Sequence, residues 1–110
     1  MSYSIILTAN FTREAKRLAK KYRSFKSDLI QLRNDLIKNP NLGTYLGNNI
    51  YKIRLAIKSK GKGKTGGARV VSYVYITDEK VFLLTVYAKS EKETISDHEI
   101  KAYIKTLPFE

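Results

Sequence analysis

The chain has no cysteine and only one histidine. Without thiols there is no disulfide framework and no thiolate chemistry, so the chain suits a reducing cytoplasm. One histidine and few clustered acids leave no dedicated zinc or magnesium site, and no cofactor is expected. No apolar run approaches the ~20 residues of a membrane span, and no signal peptide pattern precedes the first strand. A cytoplasmic protein with no membrane partner is therefore expected. No repeat and no low-complexity tract interrupts the 110 residues, a length that suits one domain, 1–110, with its own core.

Negative charge is also scarce. Ten acidic residues face 21 basic ones, a net charge of +11. From Ile50 to Thr77 acids are missing altogether, while Lys52, Arg54, Lys58, Lys60, Lys62, Lys64 and Arg69 fall in that stretch. Like charges repel, so surfaces normally mix signs. A one-signed block between two apolar strand patterns points to a polyanion partner, and nucleic acid is the commonest one. The bland alternative is a basic surface kept for solubility, which needs far less charge.

Periodicity predicts an α+β domain of order β-α-α-β-β-β-α. Tyr3 to Leu7 reads as a strand. Phe11, Ala15, Leu18, Ala19 and Tyr22 recur at helical spacing, with Thr8 or Asn10 as cap. Phe25, Leu29, Leu32 and Leu36 form a second stripe, stopped by Asn39-Pro40. The two helices form an N-terminal antiparallel hairpin. Residues 41–49 read as a loop. Ile50 to Lys58 alternates, with Lys52, Arg54 and Lys58 opposite Tyr51, Ile53, Leu55 and Ile57. Ser59 to Gly67 is an exposed connection, and Ala68 to Ile76 is the next strand. Val81 to Lys89, apolar on both faces, reads as a central strand in a small, mainly antiparallel sheet with helices on one side. Ser96 and Glu99 form a capping box for a C-terminal helix, with Ile95 stapled to Ile100. Pro108 ends that helix.

Lys52 and Arg54 share a strand face. If the next two strands pair as a hairpin, Arg69 comes near Arg54 and Lys58. Lys89 and Lys92 follow the last strand. These groups are expected to converge on one cationic surface, although each lysine alone is more simply a solvent-facing residue. Tyr51, Tyr73, Tyr75 and Tyr87 interleave with the charges. Rings of this kind stack on splayed bases or pack the core, and Tyr87 shares its face with Lys89. Gly63-Lys64-Thr65 is no phosphate loop. That motif needs a glycine where Lys58 stands, and a helix rather than a strand afterwards. Neither a Ser-His-Asp set nor a carboxylate pair is readable, and His98 has no visible orienting partner.

Tyr51-Lys-Ile-Arg-Leu55, Gly66-Gly-Ala-Arg-Val-Val71 and Leu83-Leu-Thr-Val-Tyr-Ala-Lys-Ser-Glu-Lys92, in this order, resemble the RelE/ParE superfamily of bacterial toxins, in its HigB-like branch. The resemblance covers nearly the whole chain. It implies the toxin of a type II toxin–antitoxin pair, a metal-independent endoribonuclease that cuts mRNA on the ribosome and is held inactive by a cognate antitoxin. Carried over to this sequence, Arg69, Lys89 and Lys92 become the catalytic set. Lys52 and Arg54 match the family's basic pair on the preceding strand, and with the loop cations Lys58, Lys60, Lys62 and Lys64 and the ring of Tyr87, read from their own positions, they are the expected RNA contacts. Two positions depart from the family pattern. Ser90 stands where an arginine would follow the matched lysine, and Ser96 stands near the place of a C-terminal tyrosine. His98 or Tyr103 are the candidates to replace that tyrosine. The same fold also serves ParE-like toxins, which inhibit DNA gyrase without cutting RNA, and a non-catalytic nucleic-acid-binding module shares the same charge pattern.

Overall fold

The computed structural model describes residues 3–61, 63 and 66–107. Lys62, Lys64 and Pro108, all named above, lie outside the described residues. Strand β1 (Ser4–Leu7) leads into helix α1 (Ala9–Lys21). Thr8 joins the two: its hydroxyl accepts from Phe11 N and donates to the Leu83 carbonyl. One side chain thus caps the helix and ties it to the sheet. Helix α2 (Phe25–Lys38) follows, then β2 (Thr44–Gly47), β3 (Ile50–Leu55), β4 (Ala68–Tyr75), β5 (Lys80–Ala88) and α3 (Asp97–Ile104).

The sheet runs β1-β5-β4-β3-β2. Only β1 and β5 are parallel, and the other three pairings are antiparallel. The expected α+β class and mainly antiparallel sheet are therefore found.

Three expectations need correction. Residues 44–47 are an edge strand rather than loop. Asn48 and Asn49 both take positive φ, 53° and 65°, which is the backbone a tight two-residue hairpin requires. Asparagine tolerates it better than other side chains, so the pair makes a turn rather than a linker. Strand β3 stops at Leu55, short of Lys58. There α2 captures the chain: Lys58 N donates to Asp28 Oδ2 (3.2 Å) and Ser59 N to Ser24 Oγ (2.8 Å). One 3-10 turn, Lys58–Lys60, results.

Helices also cover both sides of the sheet rather than one. The hairpin α1–α2 buries Phe11, Leu18, Phe25, Leu32 and Leu36 against Ile53, Val70, Leu83 and Val86. Each such side chain contributes on the order of 1.5–3 kcal/mol of transfer free energy. Helix α3 seals the opposite side with Ile95, Ile100 and Leu107 against Val71, Leu84 and Tyr87. The Ser96–Glu99 capping box forms as expected.

Beyond Leu7 the edge of β5 has no strand beside it, because β1 pairs only as far as Leu83. Side chains of α1 take over. Asn10 Nδ2 donates to the Leu84 carbonyl (3.0 Å), and Glu14 Oε1 accepts from Val86 N (3.2 Å) and from the Thr85 hydroxyl (2.6 Å). The ladder groups stay satisfied without a strand, as buried backbone requires.

Candidate functional site

The strand register puts Arg54 opposite Arg69, and Arg69 opposite Tyr87. These three side chains form one row across β3, β4 and β5, on the side covered by α3. Directly opposite residues carry Cβ atoms about 5 Å apart. Lys52 lies two residues along β3 on the same side. The expected convergence of Lys52, Arg54 and Arg69 is therefore present in the structure.

Tyr87 joins this row because of a bulge. Val71 pairs with Thr85, but Ser72 pairs with Leu83, so β5 carries one extra residue there. Val81 and Leu83 face the helical hairpin. Uninterrupted alternation would send Tyr87 the same way. The inserted residue reverses the phase, and Val86 and Ala88 face the hairpin instead. Bulges commonly re-aim side chains beside sites, and this one turns Tyr87 toward Arg69.

Arg69 is only 6% exposed and Tyr87 only 4%. Arg69 Nη1 donates to the Ala68 carbonyl at 3.1 Å. Arginine is the cationic side chain of the row, so this side of the sheet holds a buried guanidinium. The ring expected to stack on a base is instead covered: Lys92 Nζ lies 5.6 Å from the centroid of Tyr87, and α3 closes over it. The Tyr87 hydroxyl is buried and makes no hydrogen bond among the described residues. Burial pushes its phenol up, while Arg69 and Lys92 pull it down.

Lys92 Nζ contacts Glu99 Oε2 at 2.6 Å. That hydrogen bond holds the Lys92 ammonium above the usual lysine value and the Glu99 carboxyl below its own. Crowding among cations is expected to lower a lysine, but here the carboxylate of α3 wins. Lys92 is thus a donor and a charge rather than a base. Lys89 directs Nζ to the Glu93 carbonyl at 3.4 Å, and its backbone N–H continues the ladder to the Gly67 carbonyl at 2.9 Å. Gly67 is required at that point: a Cβ there would sit 2.1 Å from the Leu55 carbonyl oxygen. The Gly-Gly-Ala-Arg segment therefore lets β3 and β4 close tightly just before Arg69.

Of the loop cations, Lys58 is exposed and Lys60 half-buried. Lys60 Nζ lies 5.1 Å from the Tyr22 ring centroid and 3.4 Å from Ser90 Oγ. Tyr22, read from sequence only as part of the α1 stripe, is thus brought to the basic loop. Tyr22 and Lys60 are distant in sequence, so no local pattern announces the pairing. Arg17 and Lys21 of α1 likewise reach Glu91, at 2.7 and 2.6 Å, and hold its carboxyl down at about 2. His98 is exposed in the first turn of α3, Ser96 is committed to the cap, and Tyr103 packs partly buried against the α3 core. Tyr73 and Tyr75 also pack there, while Tyr51 stacks at a tilt on Tyr45, 5.1 Å between centroids. Among the described residues no group of three or more histidines or acids is placed to hold a metal ion, and no helix is long and apolar enough to cross a membrane.

Comparison with known proteins agrees with this architecture. An arginine-to-alanine double mutant of E. coli toxin RelE in the free state superposes with a TM-score of 0.65 at 20% identity, covering 97% of this chain and 100% of the other. The isolated E. coli RelE toxin gives 0.62 at 18% identity, with 96% and 99% covered. The same mutant in complex with an antitoxin RelBc peptide gives 0.62 at 16%, with 98% and 100% covered. These likenesses establish the fold. The family model of the RelE toxin of the RelE/RelB toxin–antitoxin system matches residues 5–107, nearly the whole chain, without singling out the HigB-like branch. The chain is therefore a member of the RelE toxin family, within the RelE/ParE superfamily of type II toxins.

Proposed function

We propose that this toxin is an endoribonuclease that cuts mRNA on the ribosome and so arrests translation in the cytoplasm. Residues 1–110 act as one toxin domain. The observation that carries the reading is the row of Arg54, Arg69 and Tyr87 with Lys52 beside it. Self-cleavage of RNA needs the 2′-hydroxyl to attack its own neighbouring phosphorus, and the extra negative charge on that phosphorus needs stabilising. A buried guanidinium is suited to this, because lower surrounding polarity strengthens its field and its donors bind phosphate bidentately. Arg69 takes that role. Lys89 and Lys92 contact the phosphate and supply a proton to the departing 5′-oxygen. Lys52, Arg54, Lys58, Lys60, Lys62 and Lys64 hold the backbone on either side. Tyr87 supports Arg69 from within the sheet. The chemistry needs no metal when fixed cations carry the charge.

The cognate partner is an antitoxin. A RelE-fold protein has been seen with an antitoxin peptide bound, and a net charge of +11 favours an acidic, folding-on-binding segment.

Cleavage of ribosome-bound message, mapped by primer extension, tests the reading. Removing one preorganised charge donor typically costs 10²–10³ in rate, so Arg69→Ala should lose about that much. Equal cutting by Arg69→Ala defeats the assignment. No cutting by the native chain, with inhibition of gyrase supercoiling instead, replaces it by the ParE-like activity. Salt-sensitive RNA binding without cleavage or growth arrest reduces the chain to a binding module.

A further inference from the structure

Between Ile50 and Thr77 the chain has no acid of its own. Folding brings one to it. Asp28 of α2 is 3% exposed, and its Oδ2 accepts from Lys58 N at 3.2 Å and from the Ser24 hydroxyl at 2.8 Å. Ser24 Oγ accepts in turn from Ser59 N at 2.8 Å, and Ser24 N donates to Ser59 Oγ at 3.3 Å. The two hydroxyl oxygens lie 3.0 Å apart. The Lys58–Lys60 turn is thereby clasped to the start of α2.

The clasp does little for α2 itself. Ser24 stands at the N-cap, where a serine oxygen normally accepts from an amide of the first turn. It makes no such bond here. Asp28 has no ion-pair partner among the described residues, and its Oδ1 is buried without a hydrogen bond. A buried carboxylate of this kind is a poor source of stability, offset here by the positive end of the α2 dipole. What both groups do is fix the backbone of a segment rich in like charge. Lys58, Lys60, Lys62 and Lys64 alternate along the chain, and like charges push such a segment apart.

The clasped turn stands at the strand ends that carry the cationic row. The connection leaves β3 at Leu55 and enters β4 at Ala68, and these two residues pair directly beside Arg54 and Arg69. Lys60 Nζ also reaches Ser90 Oγ at 3.4 Å, just past Ala88 of β5, which pairs with Ala68. The turn therefore belongs to the shared end of three strands rather than to one face of the sheet. Lys58 is exposed there and Lys60 half-buried.

We propose that Asp28, Ser24 and Ser59 position Lys58 and Lys60 to hold the phosphodiester backbone of RNA where it passes the strand ends toward Arg69. The inference rests on the ribonuclease reading above. The three act through the backbone of the turn, as positioning residues. A cationic loop ordered only when RNA arrives loses affinity to that ordering. A turn fixed beforehand does not.

Ser24→Ala removes the acceptor of Ser59 N and the donor to Asp28. Ser59→Ala loosens the same clasp from an exposed position, with less risk to folding. Binding is measured against salt with a 2′-O-methylated RNA oligonucleotide, which cannot be cut. Both variants should bind more weakly, and the slope of log K against log salt should shrink by up to about 0.7 for each ammonium disengaged. With ribosome-bound message the loss should fall on KM rather than kcat. Amide exchange at Lys58 and Ser59 should quicken. Repeating Ser24→Ala in a chain that also carries Lys58→Ala and Lys60→Ala isolates the mechanism. The clasp has nothing left to position there, so no further loss should follow. Native affinity and salt slope in both serine variants overturn the proposal. So does an equal further loss in the chain without the two lysines, which is the mark of a general structural role. A native chain that neither binds nor cuts RNA removes the ribonuclease reading instead, and is read before any variant.

Discussion

The two sides of the sheet are built from the same alternating strands but spent differently. The hairpin side is covered by two helices of 13 and 14 residues and is apolar across its width. The other side is covered by one helix of eight residues. That helix seals Ile95, Ile100 and Leu107 over Tyr87 but leaves Arg54 exposed beyond its cover. Long helices bury enough surface to hold the fold. A short one leaves room for charge, and its own attachment depends on a cap and an ion pair. The wide apolar core and the cationic row are thereby separated onto opposite faces of one β-sheet.

Phe11→Ala tests that division most severely. It empties a fully buried position on the hairpin side and should cost about 3–5 kcal/mol in urea unfolding. A loss confined to activity would show that the hairpin side belongs to the site. On the opposite side, Arg69→Ala should show the reverse balance, with a large loss of cleavage and a smaller loss of stability. Gly67→Ala comes next, since its Cβ would meet the Leu55 carbonyl. Overpacking of this kind costs about 1–3 kcal/mol, and cleavage should fall as β3 and β4 part beside Arg69. Ser96→Ala removes the α3 cap and should cost about 1 kcal/mol. Hydrogen exchange should then rise across α3 and leave α1 and α2 unchanged.

The smallest effect belongs to Glu91. Its folded pKa of about 2 lies below the ordinary 4.5. The stability it lends is therefore complete above pH 4.5 and disappears as pH falls through about 2. Arg17 and Lys21 are half exposed, so solvent screening keeps both pairs weak. Glu91→Gln should lower the melting temperature slightly at neutral pH and converge with the native chain near pH 2. A difference that persists in acid would mean the side chain acts by packing.

The helices were legible because Phe25, Leu29, Leu32 and Leu36 repeat with the helical period, and the capping box because its spacing is local. The basic block was legible because charge needs no geometry to be counted. Strand β2 was not, since Asn48-Asn49 reads equally as turn or linker until a partner strand stands beside it. The reach of α3 over the second face was missed for a similar reason: a short stripe says that a helix buries something, not which face.

By itself the chain's order of residues determined the three helices, every strand but β2, the charge and the family's signature segments, all of which are properties of neighbours along the backbone. Tertiary structure alone decided that Tyr87 turns toward Arg69, that Lys92 is paired with Glu99, and that Tyr22 meets Lys60. The first depends on one extra residue absorbed between β4 and β5, which reverses every side chain after it. The other two depend on elements packing across the molecule, where distance in space and distance along the chain no longer correspond.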